Sequence, residues 1–279
     1  MELNANTLIK RPKIGLVLGS GGARGITHIG VLKVLEKNNI PIDYIAGASS
    51  GAFVGAYYAL NRKIDGFEKI CLGLTKKKFL SFIDPINPKK ALIAGNKIKK
   101  EIGKILEDKD FKDIKIPLTV VAVNLENGQE VHIKKGNLAD AIRASVGIPG
   151  IFYPARLNDK WLVDGGLINA TPVDVVKDMG ADLIIAVDLT ISDNVKFKEP
   201  TIVGTLVQSF DIMRTELTKL KIQPIKDLVL IQPTVDDKNE IDSLRFYDAA
   251  RFIKAGEEAA EKAMPEIKRK IKEFSNKKL

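Results

Sequence analysis

The chain has 279 residues, 45% hydrophobic and 28% charged, which is the composition of an ordinary soluble globular protein with enough length for a sizeable core. Its single cysteine, Cys71, excludes an internal disulfide. No apolar run reaches the ~18 residues of a membrane-spanning helix, and Met1–Arg11 lacks the apolar stretch of a signal peptide. From these three observations we expect a cytoplasmic location. The formal charge of +9 suits nucleic acid or an anionic membrane, but aromatic residues are not interleaved with the lysine clusters as a base-stacking surface requires, and we expect no nucleic-acid partner.

Short apolar runs alternate along the chain with amphipathic segments, a pattern that favours an α/β fold with a mainly parallel sheet. Strands are predicted at 14–18, 42–46, 118–123, 130–133, 161–163, 183–187 and 228–231. Helices are predicted at 23–37, 50–60, 138–145, 172–178, 201–221 and 243–272. Because there is no repeat or low-complexity linker, we expect one domain over 13–275 after a tail of residues 1–12.

The first predicted strand leads into the glycine-rich loop Gly19–Gly25. Its backbone N–H groups lie at the start of a predicted helix, where the helix dipole favours negative charge. The spacing does not fit the dinucleotide fingerprint G-x-G-x-x-G, and no Gly-Lys-Ser/Thr follows as in a P-loop. An anion site of another kind, such as one for the oxyanion of a reaction intermediate, is consistent with the loop.

The second predicted strand leads into Gly47-Ala48-Ser49-Ser50-Gly51, which a helix follows. A G-x-S-x-G pentapeptide between a strand and a helix holds a serine on a sharp turn so that its hydroxyl projects as a nucleophile. Side chains at Gly47 and Gly51 would collide with the neighbouring strand and helix. From these five residues alone, a small-residue turn without chemistry is the alternative.

The lysine-rich stretch 61–116 carries short helical signals and lies between sheet elements. Two interpretations stay open: a helical lid beside a site, or a helical decoration packed on the sheet edge. Within it Lys76–Lys78 adjoin the apolar Phe79, Leu80 and Phe82, a combination that predicts peripheral contact with an anionic membrane.

The chain has two histidines, and neither is placed like the base of a Ser-Asp-His hydrolase, which normally follows a strand late in the chain. His28 is in register with Leu32 and Leu35 on the apolar face of a helix, which predicts a buried structural histidine. His132 faces away from the apolar side of a predicted strand. A conventional triad is therefore disfavoured.

The candidate base is Asp164, which closes the apolar run 161–163 and precedes Gly165 and Gly166. An acid in this place is expected at the carboxyl edge of the sheet, where sites of α/β proteins form. The glycines let the backbone pack closely and leave the carboxylate accessible. Taken alone, the segment fits an ordinary Asp-Gly turn, one of the commonest turn dipeptides.

The order of these motifs resembles that of the patatin-like phospholipase family. Along the chain it is a strand, S-G-G-A-R-G, a helix, G-A-S-S-G and then D-G-G. Ile14–Leu32, which reads I-G-L-V-L-G-S-G-G-A-R-G-I-T-H-I-G-V-L, is similar to small bacterial members, and Ala144–Pro154 is similar to the family's segment ahead of D-G-G. The likeness runs from about Lys13 to Val187. The stretch 61–116 has no match in the family.

The resemblance implies a three-layer α/β/α fold and a Ser–Asp dyad, with Ser49 as nucleophile and Asp164 as general base. It also implies further site residues: the oxyanion-binding Gly21, Gly22, Ala23 and Arg24, the elbow glycines Gly47 and Gly51, and Gly165 and Gly166 after the base. One departure is Ser20, which stands where the family has the first glycine of G-G-G-x-R-G.

The implied substrate is a lipid or other fatty-acyl ester, and neither a metal nor a cofactor is implied. Two rival functions stay open. One is a carboxylesterase or thioesterase without lipid preference, and the other is a non-catalytic regulatory protein on the same scaffold.

Overall fold

The structure, a computed structural model, describes residues 11–190, 201–235 and 245–277. Most of the predicted tail and the first two residues of the predicted C-terminal helix lie outside these ranges. The described residues form one sheet with helices on both of its faces, which confirms the predicted three-layer α/β/α fold.

The sheet has the strand order β5-β6-β3-β2-β1-β7-β8, with β4 also paired to β3. The strands are β1 Ile14–Leu18, β2 Tyr44–Ala48, β3 Leu118–Asn124, β4 Glu130–Ile133, β5 Ala155–Leu157, β6 Lys160–Asp164, β7 Leu183–Val187 and β8 Leu228–Ile231. The five strands β1, β2, β3, β7 and β8 are parallel, whereas β4, β5 and β6 pair antiparallel. The sheet is therefore mainly parallel, as predicted.

Alternation along the central strands divides the apolar residues between two helical layers. In β1, Leu16 and Leu18 belong to a core with the helices on one face, whereas Val17 belongs to a second core on the other face. Every residue of β1, β3 and β7 is buried, because helices cover the sheet on both sides. This explains why these strands read as continuous apolar runs.

Outside 61–116, a helix is present at each predicted place, although its ends differ at both termini of the chain. They are α1 Thr27–Lys37, α2 Ser50–Asn61, α3 Asp65–Leu72, α4 Lys76–Ser81, α5 Asn96–Ile105, α6 Leu138–Ser145, α7 Val173–Asp178, α8 Ile202–Ile222 and α9 Ala249–Lys277. Helices α1 and α9 can approach closely because Gly30 and Gly256 have no side chain. A Cβ at Gly30 would overlap the carbonyl of Ile253, and one at Gly256 would overlap the carbonyl of Thr27. No helix of the described residues is long and apolar enough to cross a membrane.

Several predicted boundaries differ from the structure, and one strand was missed. The C-terminal helix, predicted at 243–272, begins at Ala249, because residues 245–248 form a turn in which Asp248 N–H donates to the carbonyl of Arg245 over 3.0 Å, and it continues to Lys277. The predicted helix at 23–37 begins instead with a 3₁₀ turn, Gly22–Ile26, because Gly25 lies against Ser50, where a Cβ would overlap the serine side chain. Strand β2 continues to Ala48, since Gly47 and Ala48 still pair with neighbouring strands and the chain reverses only at Ser49. Strand β5 was not predicted; it is three residues long and, among the described strands, pairs with β6 alone.

The stretch 61–116 is helical, with α3, α4 and α5, and its inner segment is fixed to the chain ahead of β6. Ile93 N–H donates to the carbonyl of Ile151 over 2.9 Å, and Tyr153 N–H donates to the carbonyl of Ile93 over 2.8 Å. The buried Arg143 donates to the carbonyls of Ala94 (2.8 Å) and Tyr153 (2.6 Å). These bonds hold the insertion beside the segment that leads to Asp164.

Candidate active site

Ser49 occupies a strained turn between β2 and α2. Its φ of 53° and ψ of −123° lie in a region that non-glycine residues seldom adopt and that is found at functional sites. A Cβ at Gly51 would overlap the carbonyl of Leu18, and one at Gly47 would lie 2.7 Å from Ala52 Cα. Close packing on both sides therefore requires the two glycines of the pentapeptide.

A residue that the sequence analysis missed holds this turn. The backbone N–H of Ser49 donates to Ser145 Oγ over 2.8 Å, and Ser145 Oγ donates to the carbonyl of Val121 over 2.6 Å. Ser145 is completely buried at the end of α6. The signal that could have found it is a lone hydroxyl in the otherwise apolar Ala144–Ile148.

The structure brings Ser49 and Asp164 together. Ser49 Oγ donates a hydrogen bond to Asp164 Oδ2 over 2.7 Å, and the other carboxylate oxygen accepts the N–H of Gly166 over 2.7 Å. The two residues are only 4% and 5% exposed. This is the geometry of a nucleophile hydrogen-bonded to its base.

Asp164 reaches the carboxyl edge of the sheet along a route that the sequence analysis did not foresee. Strand β6 is antiparallel to β3, and Asp164 pairs with Ala122, one residue beyond the β3 residue that pairs with Ala48. Because β3 extends past the end of β2, β6 returns along it and stops level with Ser49. A Cβ at Gly165 would then overlap the carbonyl of Val121.

Burial raises the pKa of Asp164 to about 6, because desolvation disfavours the charged carboxylate. The hydroxyl of Ser49, the N–H of Gly166 and the positive charge of Arg214 each oppose this rise. The carboxylate is therefore ionised at neutral pH and is a stronger base than an exposed aspartate.

The glycine loop lies against both residues. Gly21 N–H donates to Ser50 Oγ over 3.2 Å, next to the candidate nucleophile. A Cβ at Gly166 would lie 2.6 Å from Ser20 Oγ and 3.0 Å from Asp164 Oδ1, so the loop also adjoins the candidate base.

The four candidate oxyanion donors of this loop are not equivalent. The N–H of Gly21 is bonded to Ser50, and the N–H of Arg24 donates to the carbonyl of Gly21 over 3.1 Å. Within the described residues, the N–H groups of Gly22 and Ala23 have no hydrogen-bond acceptor. Gly22 has a φ of 57°, a conformation that glycine adopts readily.

The two histidines lie apart from the Ser49–Asp164 pair. His28 is completely buried, its Nε2 is 2.8 Å from the carbonyl oxygen of Gly19, and burial lowers its pKa to about 4. It is therefore neutral and donates to the start of the glycine loop. His132 is partly exposed and lies 2.7 Å from Glu130.

Two charged residues of α8 complete the surroundings, and the sequence analysis named neither of them. Arg214 Nη1 lies 3.3 Å from the carbonyl oxygen of Ser20 and 3.4 Å from its hydroxyl. Asp211 forms ion pairs with Arg214 (2.7 Å) and Arg24 (3.3 Å). Among the described residues, no group of three or more His, Cys, Asp or Glu side chains is arranged to hold a metal ion.

Comparison with known proteins places these features in a family. The family model described as patatin-like phospholipase matches residues 16–177. The chain is 37% identical over 182 residues to an NTE family protein of Mycobacterium tuberculosis, covering 65% of this chain and 50% of that protein. It is 33% identical over 201 residues to lysophospholipase nte1 of Aspergillus fumigatus, covering 71% of this chain and 13% of that protein. The chain thus spans about half the length of the first of these relatives and far less of the second.

Among solved structures, the crystal structure of VipD from Legionella pneumophila covers 92% of this chain and 67% of its own, with a TM-score of 0.52 and 14% identity. At this identity the match shows a shared fold alone.

We predict that His28 acts as a structural residue. His28→Ala should lower the free energy of unfolding at pH 7 by about 2–4 kcal/mol, because it leaves a cavity and removes the bond to Gly19. The wild type should lose roughly 3 kcal/mol relative to this variant between pH 6.5 and 4, since the unfolded chain binds a proton there that buried His28 does not.

Urea unfolding at several pH values measures both effects. The matched control is His132→Ala, which removes a partly exposed imidazole and should change the stability at pH 7 by less than about 0.5 kcal/mol. Wild-type stability of His28→Ala at every pH would contradict the structural role.

Proposed function

This chain belongs to the patatin-like phospholipase family, and from that premise we propose that it hydrolyses acyl esters of lipids with Ser49 as nucleophile and Asp164 as general base. The observation that carries the proposal is the buried 2.7 Å hydrogen bond from the Ser49 hydroxyl, on its strained turn, to the Asp164 carboxylate. The lysophospholipase among the relatives supports a lipid ester as substrate.

In the first half-reaction, Ser49 Oγ attacks the carbonyl carbon of the ester while Asp164 takes the hydroxyl proton. The tetrahedral intermediate collapses when the bond to the alcohol breaks, and protonated Asp164 returns the proton to the leaving oxygen. In the second half-reaction, Asp164 removes a proton from water, which attacks the acyl-serine. The fatty acid then leaves, and the proton returns to Ser49.

The oxyanion of both intermediates needs donors that are not already engaged. We assign this role to the N–H groups of Gly22 and Ala23, because those of Gly21 and Arg24 already donate to Ser50 and to the loop itself. Ser20, the departure from the family motif, is accommodated because its N–H donates to the carbonyl of Ala170 over 2.8 Å and its side chain faces Arg214.

A carboxylate is a weak base for an alcohol, and two features of this site compensate. Burial raises the pKa of Asp164 to about 6, so its carboxylate accepts a proton more readily than an exposed one. The hydrogen bond to Ser49 is already formed, so proton transfer needs no rearrangement of the pair.

Exposed apolar side chains near the site favour a lipid over a small polar ester. Helix α8 contacts the glycine loop through Asp211 and Arg214. Among its described side chains, four large apolar ones are exposed to solvent. They are Ile212, Met213, Leu217 and Leu220. Such a surface suits aggregated or long-chain substrates.

We predict that Ser49→Ala lowers kcat/KM for a p-nitrophenyl ester by at least about 10⁴-fold and that Asp164→Asn comes close to this loss, because each removes one half of a cooperating pair. Matched controls are Ser81→Ala and Asp159→Asn, which make the same changes at exposed positions. Retained turnover in Ser49→Ala would refute the assignment.

Two further measurements separate the rival functions. Failure of a fluorophosphonate probe to label Ser49 would favour a non-catalytic protein on this scaffold. A series of acyl chain lengths tests the lipid preference, and we expect kcat/KM to rise with chain length. A flat series would favour a general carboxylesterase, and a preference for thioesters would favour a thioesterase.

We predict an acid limb near pH 6 in the pH profile of kcat/KM. The free enzyme is active when Asp164 is ionised, so kcat/KM should fall about tenfold per unit below pH 6 and be constant above it. The profile should be measured at a wavelength where the absorbance of nitrophenol is independent of pH. A limb near pH 4, as for an exposed carboxylate, would contradict the proposed environment of the base.

We further propose that α4 makes peripheral contact with anionic membranes. Lys76–Lys78 are exposed there, Leu80 is half exposed, and Phe79 stacks on Phe246 with ring centroids 5.3 Å apart. Phe246 precedes α9, whose first turns pack on the start of α1, so α4 lies toward the Ser49 end of the sheet.

Changing Lys76–Lys78 to Glu should weaken binding to phosphatidylserine-containing vesicles by at least about tenfold, because each lysine near such a surface contributes about 1 kcal/mol. The control changes three other exposed lysines ahead of β3, at the opposite end of the sheet, which are Lys109, Lys112 and Lys115. Vesicle co-sedimentation measures both variants. Unchanged binding after the α4 substitutions would count against the contact.

A further inference from the structure

We propose that Arg214 is a positioning residue of this hydrolytic site, which holds the glycine loop through Ser20 and presents a positive charge to the Ser49–Asp164 pair. The inference rests on the proposed function, since it assigns a role within the same site. It arises from contacts made by α8, a helix that carries none of the family's motifs.

The first step is the contact itself. Arg214 is only 9% exposed, and its Nη1 lies 3.3 Å from the carbonyl oxygen and 3.4 Å from the hydroxyl of Ser20. On its other side, Ser20 N–H donates to the carbonyl of Ala170 over 2.8 Å. The loop is thus held immediately before the amides of Gly22 and Ala23.

Ser20 itself gives a reason for this arrangement. The glycine that the family motif has in this place would offer Arg214 only a backbone carbonyl, whereas serine adds a second acceptor. The same hydroxyl faces Gly166, the residue whose N–H binds Asp164. A short path of contacts therefore leads from Arg214 through Ser20 to the base.

Asp211 orients the arginine. Its carboxylate lies one turn earlier on α8, with one oxygen 2.7 Å from Arg214 Nε and the other 3.3 Å from Arg24 Nη2. Arg24 belongs to the glycine loop, so α8 holds the loop at two points. The charged groups around Arg214 are Asp211 on its own helix, Arg24, which shares Asp211 with it, and Asp164 at the end of β6.

The charge of Arg214 acts on the base as well as on the loop. A nearby positive charge favours the ionised form of a carboxyl, so Arg214 opposes the effect of burial on the pKa of Asp164. Loss of the charge should raise that pKa and move the acid limb of kcat/KM to higher pH. A residue that only stabilised the fold would lower the amount of active enzyme without moving this limb.

The test compares Arg214→Gln, which loses the charge but keeps a donor, with Arg214→Lys, which keeps the charge. For Arg214→Gln we expect the acid limb to move up by at least about 0.5 pH unit and kcat to fall about tenfold, with KM changed less than about twofold. For Arg214→Lys we expect the wild-type limb and a smaller loss of kcat. The control is Lys219→Gln, the same loss of charge at an exposed position of α8.

A further variant keeps the test decisive if Arg214→Gln does not fold. Ser20→Gly removes only the hydroxyl acceptor, and we expect fluorophosphonate to label Ser49 about threefold more slowly in this variant, with an unchanged acid limb. Wild-type labelling in Ser20→Gly together with an unchanged kcat in Arg214→Lys would then overturn the proposal.

The failure of this inference and that of the proposed function are distinguishable. An Arg214→Gln enzyme with the wild-type limb and kcat, in a protein whose turnover depends on Ser49, would overturn the role of Arg214 alone. Absence of labelling and turnover in the wild type would instead overturn the proposed function, and this inference with it.

Discussion

The hydrogen bond between Ser49 and Asp164 joins two buried residues that lie 115 positions apart, and much of the surrounding structure is needed to form it. Ser49 requires a turn that only glycines at 47 and 51 allow, because their neighbours leave no room for a Cβ. Asp164 requires an antiparallel strand in a mainly parallel sheet, paired with the part of β3 that extends past β2. The mixed sheet is thus a condition for the pair.

Three further buried polar side chains hold the backbone around this bond. His28 donates to Gly19 at the start of the glycine loop, Ser145 accepts the N–H of Ser49, and Arg214 donates to Ser20. Each satisfies a backbone group that burial would otherwise leave without a partner, which would destabilise the fold. In the proposed mechanism these bonds also restrict the nucleophile and the oxyanion donors to one arrangement, so stability and preorganisation share the same contacts.

The sequence predicts what local patterns determine, and it fails where distant contacts decide. The elbow and the D-G-G turn were predicted because glycine, serine and aspartate at those spacings reflect local backbone requirements. Strand β5 was missed although the dipeptide Asn158-Asp159 is typical of a tight hairpin turn. In the structure both residues have positive φ, and they join β5 to β6. The role of Arg214 had no local signal, because its contact with Ser20 spans 194 residues and depends on how α8 packs.

Burial also explains why an aspartate rather than a histidine suits the proposed role of base. Desolvation penalises whichever form is charged, so it raises the pKa of a carboxyl and lowers that of an imidazole. In this protein the buried carboxyl of Asp164 has a pKa of about 6, whereas that of buried His28 is about 4, which reverses the usual order of the two side chains. In surroundings this buried, a carboxylate is the stronger base, so the proposed Ser–Asp pair needs no third residue of the kind that holds and charges the histidine of a triad.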